Sequence, residues 1–169
     1  ITLKDDDIET VKAINDKNVK IFYQSGKGYG NSLREAIVEC KSKYFCIFNA
    51  DGSFEHNDLF KMYNLIQNYD FVYATRYEKP GGSDDDTIIT LLGNKIFSKM
   101  GNIFFSLKIS DILYTYVMGN SKLAQTLNLK EKKFSLCVEL PIKAKRLGYK
   151  IISFPCHERE RIAGKKKVN

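Results

Sequence analysis

Five consecutive apolar residues, Tyr44-Phe45-Cys46-Ile47-Phe48, stop abruptly at Asn49-Ala50-Asp51-Gly52-Ser53. A short apolar run with no polar residue alternating through it suits a strand covered on both faces, as in a parallel sheet. Comparable stretches recur along the chain: Val19 to Tyr23 before it, Phe71-Val72-Tyr73-Ala74 after it, and Ile151-Ile152-Ser153-Phe154 ahead of Pro155. Between them the apolar period changes. Leu33, Ile37 and Cys40 fall at helical spacing, as do Leu59, Met62, Tyr63 and Ile66, and a helix around Val138 to Leu147 closes at Gly148. Alternating strands and helices predict an α/β sheet with right-handed crossovers, in which ligands bind outside the carboxyl ends of the strands.

The 169 residues, 43% of them hydrophobic, are enough for one compact domain with a core of its own, spanning residues 1–169, and for one active site. The chain opens on Ile1 without a signal-peptide pattern and closes just past Lys165-Lys166-Lys167, so both ends read as cut from something longer. No apolar run approaches the roughly 18 residues a membrane helix needs. Cys40, Cys46, Cys137 and Cys156 lack C-x-x-C spacing and read as reduced thiols rather than a zinc site or disulfide framework, which predicts a cytoplasmic protein. Lys and Arg outnumber Asp and Glu by 27 to 20, a formal +7 that suits a polyanionic partner: a nucleotide, a phospholipid surface or nucleic acid.

Three segments carry candidate chemistry. Asp51 stands just past a buried strand, where its carboxylate, with Asn49, can meet a hard divalent cation bridging phosphates; the same residue types also make an ordinary turn. Ser25-Gly26-Lys27-Gly28-Tyr29-Gly30-Asn31 lies between a strand and a helix, where glycines and a helix N-terminus favour a phosphate, or simply a flexible turn. Arg76-Tyr77 follows the third strand and has prospective companions in Arg159, Arg161 and Lys165 to Lys167. Between them, Lys79-Pro80-Gly81-Gly82-Ser83-Asp84-Asp85-Asp86 reads as a loop closing over a ligand, followed by an amphipathic helix, or two with an interruption at Gly93, over Ile88 to Phe105.

Taken in order, these pieces resemble glycosyltransferase family 2 of the dolichol-phosphate mannose synthase-like, polyprenyl-phosphate branch. The resemblance rests on Gly26-Lys27-Gly28 through Asn31 and Arg34, on Asn49-Ala50-Asp51 after an apolar strand, on Thr75-Arg76-Tyr77, on Gly81-Gly82, Asp111 and Glu139, and on Leu147-Gly148-Tyr149-Lys150-Ile151. A closing Arg161, Gly164 and Lys167 complete it. It implies a GT-A fold, a three-layer α/β/α sandwich around a mostly parallel sheet, here without the family's first strand. It also implies an inverting transfer from a GDP- or UDP-sugar to a polyprenyl phosphate. Mg2+ or Mn2+ would sit on Asp51 and Asn49; Lys27, Gly28, Asn31, Arg161 and Lys167 would bind nucleotide and phosphates; Arg76 and Ser98 would hold the acceptor phosphate.

Two features depart from the pattern. Asn49 stands where relatives carry the first Asp of Asp-Ala-Asp, and Ile112 to Val117 replaces a Ser-Gly-Phe-Arg-like stretch, so that wall of the pocket is remodelled. The implied step is displacement at the anomeric carbon as the nucleoside diphosphate leaves. A polyprenyl phosphate is already anionic and needs no strong base, whereas a glycan hydroxyl would call on Asp111 or Glu139. The implied location is the cytoplasmic face of a membrane, touched peripherally. Rival readings are a nucleotidyltransferase and a noncatalytic anion-binding or RNA-binding domain. No RRM or KH pattern is present and Asp51 would repel a bare phosphate backbone, so nucleic acid is not expected as a partner.

Overall fold

The computed structural model describes residues 1–3 and 7–162. In chain order the elements are β1 (Thr2–Leu3), α1 (Ile8–Ala13), β2 (Phe22–Tyr23), α2 (Tyr29–Glu39), β3 (Tyr44–Ile47), α3 (Asp58–Leu65), β4 (Phe71–Thr75), β5 (Gly82–Ser83) and α4 (Ile88–Phe105). They continue with β6 (Val117–Asn120), α5 (Ser121–Thr126), α6 (Leu136–Arg146), β7 (Ile151–Pro155) and β8 (His157–Glu158). The strand expected from Val19 shortens to β2, which pairs in parallel with β1, Thr2 opposite Phe22 and Leu3 opposite Tyr23. Between them Asp7 caps α1, its carboxylate accepting from the Thr10 amide at 3.2 Å.

The central sheet has the order β3-β6-β4-β7. β4 and β7 pair in parallel from Phe71–Ile151 to Thr75–Pro155, while β6 runs antiparallel to both β3 and β4. Three strands therefore share one direction and one reversed strand lies between them. β6 was not expected from the sequence, and it is the strand that joins β3 to β4. Gly119 makes this possible: a Cβ there would stand 2.6 Å from the rings of both Phe45 and Phe71. Close packing of those two rings across the strand needs the missing side chain.

The pleat sends alternate residues to two separate cores. Phe45, Ile47, Phe71, Tyr73 and Val117 pack on one face with Ile37 of α2, Ala124 of α5 and Leu136, Leu140 and Ala144 of α6. Val72, Ala74 and Met118 pack on the other with Met62 of α3 and with Phe54, Tyr114 and Tyr116. Helices thus cover both faces, giving the expected three layers. The stretch Ile112 to Val117, read as a remodelled pocket wall, leads into β6 and ends on its first residue. Its two tyrosines fill the second core, and Tyr116 Oη donates to the Glu55 carbonyl at 2.9 Å.

α4 is one uninterrupted helix; Gly93 faces open space and does not break it. Thr87 caps its start by accepting from the Thr90 amide, and Ser106 ends it with a left-handed φ of 52°. Its inner side is anchored by the buried Ser98 and Gly101, and by Asn102, whose side chain both donates to and accepts from the Ile109 backbone.

Candidate functional site

Because β3, β4 and β7 run the same way, their carboxyl ends open onto one edge, and the candidate residues after each strand converge there. Past β3 the chain turns through Asp51, whose Oδ1 accepts from the Ser53 amide at 3.1 Å and the Ser53 hydroxyl at 2.7 Å. This is the turn the residue types predict, and it uses Oδ1 alone. Asn49 lies beside it and accepts a 3.4 Å hydrogen bond from Tyr29 Oη, which also donates to Thr115 Oγ1 at 3.0 Å. Tyr29 thereby ties the start of α2 to the acidic turn, a link that nothing in the sequence spacing signals.

The segment after β7 folds back across this turn like a strap. Arg159 N donates to the Ser53 carbonyl and Ile162 N to the Asp51 carbonyl, both at 2.9 Å, and the Ile162 side chain lies against Gly52. Arg159 pairs with Glu55. Arg161 Nε stands 3.8 Å from Asp51 Oδ2 and 3.5 Å from Asp85 Oδ2, too far for a hydrogen bond to either, and it is buried. The expected neighbours Gly164 and Lys167 lie outside the described residues.

Arg76 directly follows β4 and is buried to 8% exposure. Its Nε and Nη2 form a fork on Asp111, at 2.7 Å to Oδ2 and 3.1 Å to Oδ1, and its Nη1 donates to Glu158 Oε2 at 2.9 Å with Asp86 Oδ2 at 3.4 Å. The rings of Tyr114 and Tyr77 flank the guanidinium at 4.6 and 5.0 Å. Burial by itself would lower the Arg76 pKa, but Asp111 and Glu158 outweigh it and raise it. Burial pushes the Asp111 carboxyl up, and Arg76 pulls it only part of the way back. Arg76 and Asp111 stand out in the sequence as candidates, whereas Glu158 and Asp86 do not. Their signals were the acidic run Asp84 to Asp86 and the alternating charges Glu158 to Arg161.

The loop from Lys79 to Asp86 is held by the same network. β5 pairs with β8, Tyr77 Oη donates to Asp86 at 2.7 Å, Ser83 Oγ donates to Glu158 at 2.7 Å, and His157 contacts Asp84 at 2.9 Å. Ser98, expected near an acceptor phosphate, is buried and accepts from the Ile112 amide at 3.0 Å, fixing the turn that presents Asp111.

The glycine-rich loop has a partner inside the protein. Gly28 caps α2 at a φ of 112°, and a Cβ on it would lie 2.3 Å from the Lys132 carbonyl oxygen; at Gly30 the Lys133 carbonyl oxygen would be 2.2 Å away. The Asn31 amide donates to Lys132 O at 3.0 Å. The glycines are required by this backbone crossing, whatever else the loop binds. The buried Asn31 side chain donates to Glu35, which also holds the Ser25 amide and hydroxyl, and Lys27 projects exposed from the loop. Glu139 sits in the first turn of α6, where both its oxygens accept from the Lys130 amide, Oε2 from Glu131 and Oε1 from Lys143 Nζ. Burial alone would raise its carboxyl; Lys143 and the two amides outweigh that and lower it.

Asn49 Oδ1 and Asp51 Oδ2 are hard oxygen donors at one strand end, the ligand type a small divalent cation prefers. Among the described residues no group of three His, Cys, Asp or Glu side chains could hold a metal by itself. The donor set therefore fits an ion that takes its remaining oxygens from phosphates.

The profile of the family described as glycosyl transferase family 2 matches residues 4–127. Glycosyltransferase AglJ of Haloferax volcanii is 25% identical over 150 residues, covering 86% of this chain and 48% of that protein. The chain thus spans about half the length of this curated relative. Among solved structures, the glucosyl-3-phosphoglycerate synthase of Mycobacterium tuberculosis, in complex with Mn2+, uridine diphosphate and phosphoglyceric acid, superposes with a TM-score of 0.63 at 11% identity, over 98% of this chain and 58% of that one. The mannosyl-3-phosphoglycerate synthase of Rubrobacter xylanophilus gives 0.60 at 12% identity, over 87% of this chain and 50% of that one. At these identities the likeness is one of fold.

Proposed function

The chain belongs to glycosyl transferase family 2 and has a GT-A type α/β fold, and from that premise we propose that it carries the catalytic site of an inverting transferase that moves a sugar from a nucleotide sugar to a polyprenyl phosphate. The donor diphosphate lies over the glycine-rich loop and the Asp51 turn. Asp51 and Asn49 would hold Mg2+ or Mn2+, which when bound neutralises charge on the leaving diphosphate. Lys27 and Arg161 supply positive charge to the phosphates; Lys167, outside the described residues, is assigned the same role from the sequence alone. Arg76 acts by position: it gathers Asp86, Asp111 and Glu158, so that the loop before α4, the turn after it and the strap all meet at one point. Ser98 supports that arrangement through the Ile112 amide.

The observation that carries the acceptor is the state of the two candidate bases. Asp111 is fully buried with both oxygens on Arg76, and Glu139 has both oxygens engaged by amides and Lys143. Neither offers an oxygen with which to deprotonate a hydroxyl, which favours an acceptor that arrives as an anion. A phosphate on a small acid is the second reading, favoured because two structural neighbours are named as synthases of glucosyl- and mannosyl-3-phosphoglycerate. The test offers one radiolabelled nucleotide sugar with Mn2+ to separate tubes of polyprenyl phosphate, phosphoglycerate and a neutral glycan. Label is expected in the lipid. Label on phosphoglycerate alone replaces the lipid by the second reading, and label on the glycan overturns the anionic acceptor altogether.

A further inference from the structure

Glu139 lies in α6, but what it holds is the loop before that helix. Its two oxygens accept from the Lys130 amide at 2.9 and 3.0 Å, and Oε2 accepts from the Glu131 amide at 2.9 Å. Lys143 Nζ stands 2.8 Å from Oε1 and also donates to the Asn128 carbonyl at 2.6 Å. Loop 130–133 is therefore fastened to α6 by hydrogen bonds to an ionised group, which are roughly twice as strong as neutral ones.

The same loop is pressed onto the glycine-rich turn. Lys132 O accepts from the Asn31 amide at 3.0 Å, and the Lys132 and Lys133 carbonyl oxygens fill the space that a Cβ would take at Gly28 and Gly30. The Phe134 ring lies 6.0 Å from that of Tyr29, and Tyr29 Oη reaches on to Asn49 at 3.4 Å. A continuous line of contacts thus runs from Glu139 to the acidic turn at Asp51. Lys27, Lys132 and Lys133 stand exposed along it, while the acidic residue of the loop, Glu131, accepts from the Ser135 hydroxyl.

We propose that loop 130–133 and the glycine-rich turn form one phosphate-binding unit, in which Lys132 and Lys133 join Lys27 around the diphosphate of a nucleotide sugar and Glu139 is the positioning residue. Exposed lysines on a free loop contribute little, because backbone and side chains must all be ordered when the ligand binds. Fastening the loop to α6 orders the backbone beforehand, and the crossing at Gly28 and Gly30 places it beside the phosphates. Without the Glu139 carboxylate two amide donors lose their acceptor and the loop is released from the glycines. This unit rests on the reading that the donor diphosphate lies over the glycine-rich loop; it is independent of the acceptor.

Calorimetry with Mn2+ and uridine or guanosine diphosphate tests the unit without catalysis. Glu139→Gln keeps the shape of the side chain but turns one acceptor into a donor, and is expected to weaken diphosphate binding about tenfold. Lys132→Ala with Lys133→Ala, both at exposed positions, should weaken it by a similar factor, about tenfold. Because the carboxylate acts through the lysines, the triple variant should bind little worse than the lysine pair. In transfer assays Glu139→Gln should raise KM for the nucleotide sugar and leave kcat and its pH profile unchanged. Circular dichroism and thermal melting check the fold. Where Glu139→Gln fails to fold, Glu139→Asp, which keeps the charge but draws it back from the amides, takes its place with the same expectation. Parent-like diphosphate binding in a folded variant of either kind overturns the unit, and additive losses in the triple variant overturn the positioning role. So does a fall in kcat that removes one limb of the pH profile with nucleotide affinity unchanged, which would make Glu139 a base. A parent chain that binds neither diphosphate removes the donor reading itself, and the unit with it.

Discussion

At Arg76 one guanidinium answers to Asp111, Glu158 and Asp86, all nearly inaccessible to water. Removing it leaves buried carboxylates unpaired, a loss of about 3–5 kcal/mol where a buried pair is broken. Arg76→Ala is expected to unfold at correspondingly lower urea. The pH dependence follows from Asp111, whose folded pKa is raised mainly by burial. A raised carboxyl stabilises the fold below its unfolded pKa, and that contribution is lost as pH rises through the folded value. Without Arg76 the rise is larger, so the deficit of Arg76→Ala relative to the parent should shrink between about pH 7 and about pH 5. An equal deficit at both pH values would rule out unpaired carboxylates as its cause. Asp51 is the opposite kind of residue. It is partly exposed, its Oδ1 holds the Ser53 amide and hydroxyl and its Oδ2 faces Arg161 Nε at 3.8 Å, so Asp51→Ala should cost about 1 kcal/mol in stability. Calorimetry is expected to show Mn2+-dependent nucleoside diphosphate binding abolished in that variant, and unchanged binding would remove Asp51 from the metal site.

Among the elements, β6 decides whether the sheet exists. It is only Val117–Asn120, yet it supplies the ladder between β3 and β4, which do not pair with each other. Its tolerance is set at Gly119 by Phe45 and Phe71, the first of which is 9% exposed and the second 0%. Adding a methyl group forces both rings to move in a packed core, an overpacking cost of about 1–3 kcal/mol. At roughly 2–4 °C per kcal/mol for a domain of this size, Gly119→Ala should lower Tm by several degrees in calorimetry. An unchanged Tm would mean that the rings relax freely and that β6 is less tightly held than its packing indicates.

For the molecule as a whole, the apolar pattern was enough to predict an α/β sheet with covered strands, the helices after β2, β3 and β4, and a candidate site at the strand ends. Those features depend on periodicities of two and of 3.6 residues that each segment carries in itself. The order of Asp51, Arg76 and Arg161 along the chain was legible for the same reason: each follows a recognisable strand. What the pattern could not carry was anything that depends on contact between distant segments. β6 escaped because Val117-Met118-Gly119-Asn120 ends in two residues that disfavour strands, and it is held by neighbours more than 40 residues away in sequence on either side. The buried partners Asp86 and Glu158 escaped because acidic residues in polar loops are ordinarily solvated. The glycines of the phosphate-like loop were legible as glycines, but only the folded chain brings the Lys132 and Lys133 carbonyls against them. In the same way, the apolar residues of α4 were visible as helical, whereas which of them face outward is a property of what α4 packs against. Local periodicity thus determined the elements and the end of the sheet at which chemistry is placed. Tertiary packing alone decided the reversed central strand, the carboxylates gathered on Arg76 and the apolar face left open to solvent, because each is settled by the free energy of contacts between segments that no local pattern encodes.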